Sequence, residues 1–123
     1  MVGGYATMAF VVEDIPTNAT LFRKIHRSHF PGGKVSSAAF RDERMSVNWE
    51  KYKSAEDSAD ANSAAVVALF AEDCRQLAQT VEHTPIGPAE PLGPNQAHTE
   101  VCGRKNEAIS RKLRDSAAIA WLK

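Results

Sequence analysis

Neither sign of charge is in excess in this chain of 123 residues, where 15 Lys and Arg meet 15 Asp and Glu. A balanced chain lacks the broad positive field on which strong, sequence-independent nucleic-acid binding depends. Cysteine is scarce: only Cys74 and Cys102 are present. A disulfide framework is therefore not what organises the fold, and both thiols are expected to be reduced. No apolar run approaches the roughly 20 residues that a membrane-spanning helix needs. Met1–Phe10 has no basic start of the signal-peptide kind, and Glu13 and Asp14 follow it closely. The expected location is cytoplasmic, with no membrane partner.

Catalytic and cofactor signatures are missing as well. No serine sits in a G-x-S-x-G elbow. Neither G-x-x-x-x-G-K nor G-x-G-x-x-G occurs, and Gly32-Gly33-Lys34 reads as a turn. C-x-x-C and H-E-x-x-H zinc spacings are absent. His26 and His29 have an H-x-x-H spacing, but on a strand they would point to opposite faces. Cys74, His83, His98 and Cys102 are isolated along the chain. No metal and no cofactor are expected, and Cys74 is expected to pack as a small hydrophobe.

Three features stand out against these absences. Four of the six prolines, Pro85, Pro88, Pro91 and Pro94, recur at every third position. That is the period of polyproline II, which would align the four rings along one edge of an extended strap packed over the domain. The charge is also segregated. Residues 21–53 carry eight Lys/Arg against three Asp/Glu, and residues 54–83 carry one against six. Last, the apolar pattern changes period along the chain, from strand-like to helical.

This length suits a single domain, 1–123, with a proline-rich loop at 84–95. Gly3–Glu13 contains Met8-Ala9-Phe10-Val11-Val12, a first strand or an apolar arm. Strands are expected at Ala19–His26, Val35–Phe40 and Met45–Trp49, forming an antiparallel meander. Ser54 and Asp57 give a helix-start signal. Ala64–His83 fits one long helix or a strand–helix–strand; the β-prone Val66-Val67 and the Glu72-Asp73 pair favour the split. A strand at Asn95–Cys102 places Ala97, Thr99 and Val101 on one face and His98, Glu100 and Cys102 on the other. Arg104–Leu122 reads as an amphipathic helix with a stripe of Ile109, Leu113, Ala117, Ala120 and Trp121. Ile109, Leu113 and Trp121 are expected to pack against Val47, Trp49 and Val66. The expected fold class is α+β: a mostly antiparallel sheet of about four to six strands, one short helix and a C-terminal amphipathic helix.

Two polar clusters invite a functional reading. Arg23, Lys24, His26 and Arg27, flanked by Phe22 and Phe30, offer cationic donors for phosphate and aromatic faces for stacking. Asn95, His98 and Glu100 follow the proline loop, where a rigid strand can present an imidazole acid–base. The leading expectation for function is a small interaction module or accessory subunit with a protein partner. One alternative is a small enzyme acting on a nucleotide or nucleic acid through Arg23/His26 and His98/Glu100. Another is a nucleic-acid-binding module using the basic 21–53 region.

Overall fold

A computed structural model of the protein describes residues 9–91 and 93–123. Most of the expected N-terminal strand or arm, Gly3–Glu13, therefore lies outside the described residues. Its described end, 9–13, is irregular.

Six strands form one sheet: β1 Thr20–His26, β2 Arg44–Trp49, β3 Ser63–Phe70, β4 Thr80–His83, β5 His98–Cys102 and β6 Ala118–Leu122. Their order is β4-β5-β2-β1-β3-β6, and every pairing is antiparallel. Three helices accompany them: α1 Ala55–Ser58, α2 Ala71–Gln76 and α3 Glu107–Ser116. The fold is α+β, as expected.

One face of the sheet carries the main core. Alternation sends Leu21 and Ile25 of β1, Met45 and Val47 of β2, and Val67 and Leu69 of β3 to this side, all buried. Phe40, Cys74 and Leu113 close over them from outside the sheet, each fully buried. Phe22 and Val66 belong to the opposite face and are buried as well. There α1 touches β1, β3 and β6.

Residues 64–83 split into strand, helix and strand, as the β-prone start and the acidic pair suggest. Glu72 and Asp73 sit in the first turn of α2, where the helix dipole favours them. Ser54 caps α1 by accepting from the Asp57 amide at 3.1 Å, as its spacing predicts.

Three expectations fail. Val35–Phe40 is not a strand. The 27–43 connection winds through three short 3-10 turns, Arg27–His29, Pro31–Gly33 and Ser37–Phe40. The Ser36 hydroxyl accepts from the Ala38 amide at 3.2 Å and bends the chain there. With small serines and alanines around it, this segment offers a pleated face little to pack, and its end, Ala39 and Phe40, is what enters the core.

The C-terminal helix is also shorter than expected. Asn106 caps α3 through the Ile109 amide at 2.9 Å, and Ala117 turns extended with ψ 145°. Ile109, Leu113 and Ala117 face the core. Ala120 and Trp121 instead lie on β6, where Trp121 pairs with Val66.

Finally, the prolines do not form one straight polyproline run. Ile86 and Asn95 exchange backbone hydrogen bonds of 3.0 and 2.8 Å, and the chain reverses between them through turns at Gly87–Glu90 and Glu90–Gly93. Pro88, Pro91 and Pro94 are exposed on this looped-back segment, and Pro85 is half-buried near its base.

Candidate functional site

Two surfaces stand apart: a polar groove on the face opposite the main core, and the outer edge of β6.

The groove is laid down by strand alternation. In β2, Met45, Val47 and Trp49 point to the core, so Ser46 and Asn48 point away. In β5, Thr99 and Val101 point to the core, so His98 and Glu100 point away. The β2–β5 register sets Ser46 opposite Glu100 and Asn48 opposite His98. Phe22 and Lys24 add a wall from β1, Ser58 one from α1, and Ile86 and Asn95 one from the proline-rich loop. The enclosed space is about 230 Å³.

A hydrogen-bond chain runs through it. Nδ1 of His98 lies 2.9 Å from the Thr84 carbonyl and 3.0 Å from the Thr84 hydroxyl. The carbonyl only accepts, so a proton on Nδ1 is the arrangement that satisfies it, and the hydroxyl can accept beside it. In the neutral ring, Nε2 is then an acceptor, and the Ser46 hydroxyl lies 3.2 Å from it. Asn95 accepts from the Ala97 amide through Oδ1 at 3.1 Å, which orients its Nδ2 as donor to Asn48 Oδ1 at 2.9 Å. That leaves the Asn48 amide nitrogen turned to other duties.

The candidate residues from the sequence fall at different places. His98, Asn95 and Lys24 meet in the groove. The Lys24 ammonium bonds Asp60 at 2.7 Å. Arg23 also lines the groove, with its guanidinium largely buried: it donates to the Ala39 carbonyl at 3.2 and 3.1 Å and to the Ser46 carbonyl at 2.9 Å, and pairs with Asp42 at 3.4 Å. β1 and β2 pair only through Leu21 and Phe22, so Arg23 fills the gap where the two strands diverge. His26 and His29 line a neighbouring hollow of about 140 Å³, and Ser28 donates its amide to His26 Nδ1 at 3.1 Å. Arg27 is exposed beside Phe30 in a third hollow. Glu100 is bound by Arg44 at 2.7 and 3.2 Å, and this pairing holds its carboxyl below the usual range. Thr84 adds a smaller pull in the same direction.

His26 and His29 are not on opposite faces of a strand. β1 ends at His26, and His29 sits in the next turn, bringing the ring centroids to 6.4 Å. Among the described residues no three His, Cys, Asp or Glu side chains gather as metal ligands. Sequence reasoning sets Ser46 aside because no G-x-S-x-G elbow surrounds it, and it passes over Asn48. Their signal was the alternation within Met45–Trp49, which already placed both on one face.

The second surface is β6. At the other end of the sheet, the segment before β1 lies beside β4 and α2. There the Glu13 amide donates to His83 Nδ1 at 2.9 Å, and Arg75 donates to the Ile15 carbonyl at 2.7 Å. Among the described residues β6 pairs with β3 alone, and α1 touches it. Its sequence, Ala-Ile-Ala-Trp-Leu, has no charge, and Ile119 and Leu122 are 49% and 56% exposed. A hollow at its Leu122 end is lined by Arg27 and Lys123 and by no Asp or Glu side chain.

Comparison with protein-family models, with curated proteins and with solved structures finds no match for this chain. What the structure defines is an α+β protein built on one antiparallel sheet. No helix among the described residues is long and apolar enough to cross a membrane.

Proposed function

We propose that the chain is an interaction module, an accessory subunit that docks a partner protein by strand addition at β6. The observation that carries this reading is the uncharged, exposed edge of β6. An unprotected apolar edge is a template for pairing, and proteins that do not use such an edge blunt it with charge, proline or a covering segment. The partner that fits presents an extended apolar segment followed by an acidic side chain. Its backbone completes the ladder, its apolar residues cover Ile119 and Leu122, and its carboxylate meets Arg27 and Lys123.

The test is a photo-reactive residue at the exposed position 120, introduced into the protein in its source cells. A cross-link to a partner's apolar strand with acidic neighbours, lost in Ile119→Lys and Leu122→Lys, supports the reading. Cross-linking only to a second copy, or no cross-link that depends on these residues, refutes it.

A further inference from the structure

We propose that Ser46 and His98 form a nucleophile–base pair that hydrolyses short-chain carboxylic esters in the groove under the proline-rich loop. The parts that such chemistry requires are present together. The Ser46 hydroxyl lies 3.2 Å from His98 Nε2. The Thr84 carbonyl, 2.9 Å from Nδ1, fixes the tautomer that leaves Nε2 free to accept, the orienting task that a third group performs in nucleophile–base pairs. The Asn48 side chain lines the groove with its oxygen engaged by Asn95, and its amide nitrogen is the donor assigned here to an oxyanion. The half-open space of about 230 Å³, walled by Phe22 and Ile86, accommodates a short acyl group.

The chemistry balances with water alone. Ser46 Oγ bonds to the ester carbonyl carbon as His98 Nε2 takes the hydroxyl proton. The carbonyl oxygen, now an oxyanion, is met by the Asn48 amide. Collapse breaks the carbon–oxygen bond to the alcohol, which leaves with the proton from His98. Water, deprotonated by His98, then attacks the acyl-serine, and collapse releases the carboxylic acid and restores Ser46.

The chain supplies its own control. Ser28 and His26 also touch, with Oγ 2.8 Å from Nδ1. That contact is a local turn, because the same Nδ1 accepts the Ser28 amide at 3.1 Å. With Nδ1 committed to that turn, the pair is expected to be unreactive.

The experiment uses two probes on the full chain, a fluorophosphonate and p-nitrophenyl acetate. The expected result is one covalent adduct, mapped to Ser46, and a turnover that depends on it. Ser46→Ala abolishes the adduct. His98→Gln slows labelling and hydrolysis about 100-fold or more, the usual worth of a general base. Ser28→Ala changes neither. Thermal melts establish that each variant folds. If Ser46→Ala does not fold, Ser46→Cys replaces it, and the fluorophosphonate adduct is then expected to vanish while a thiol reagent labels position 46. No adduct on the unsubstituted protein overturns the proposal, as does an adduct that survives replacement of Ser46.

Discussion

Gly103 ends β5 with φ 150°, a conformation that side chains resist, and a Cβ there would lie 2.8 Å from Gln79 Oε1. Gln79 is poorly placed to yield. It is buried, and its Nε2 donates to the Leu77 and Arg104 carbonyls at 3.2 and 3.0 Å. Gly103→Ala is expected to lower stability by about 1–3 kcal/mol through overpacking and backbone strain. In urea titration the midpoint falls and the slope stays unchanged. The strand expected at Asn95–Cys102 stops just before Gly103, but the sequence held no hint of Gln79, which meets it only in the folded chain. Arg23 shows the same limit. Its place in a basic cluster suggested a phosphate ligand, yet its guanidinium satisfies the Ala39 and Ser46 carbonyls where two strands part. Cys74 was legible: an apolar neighbourhood buries it, and burial pushes its thiol up to about 11.

At the scale of elements, Asp60 ties the entry of β3 to β1. Its carboxylate accepts from Lys24 at 2.7 Å, from the Asn62 amide at 2.9 Å and from the Ser63 hydroxyl at 3.1 Å. The Lys24 bond is the largest cause that lowers its pKa from 3.8 to about 2. A carboxyl depressed on folding contributes stability above its unfolded value and loses it as pH falls through its folded one. Asp60→Asn is therefore expected to be less stable than the unsubstituted protein at neutral pH, with the gap closing between about pH 4 and pH 2. Denaturant titrations across that range measure it. The element boundaries were legible where local chemistry sets them, as at the Ser54 cap of α1. They were not legible at Ala117, where the apolar stripe continues with helical spacing but the chain turns extended. β3 has a free edge there, and pairing with it outweighs the modest helical preference of two alanines.

At the scale of the whole molecule, Leu113 joins α3 to the sheet and is fully buried in a core that also holds Phe40 and Cys74. Leu113→Ala is expected to cost about 2–5 kcal/mol. Because one core serves sheet and helix alike, the far-ultraviolet signal and the near-ultraviolet signal of Trp49 are expected to be lost in a single transition. Period-2 alternation by itself determined that β1, β2 and β5 are strands, which of their residues enter the core, and that the class is α+β. Burial on one face imposes that pattern on the chain directly. Only the tertiary structure decided which strands are neighbours. Register across β2 and β5 brought Ser46 to His98, and the loop reversal at Ile86 and Asn95 closed a groove over them. Strand order left β6 at an open edge. The β2–β5 and β3–β6 pairings join residues about 50 or more apart in sequence, and no local propensity encodes which partner a strand will find.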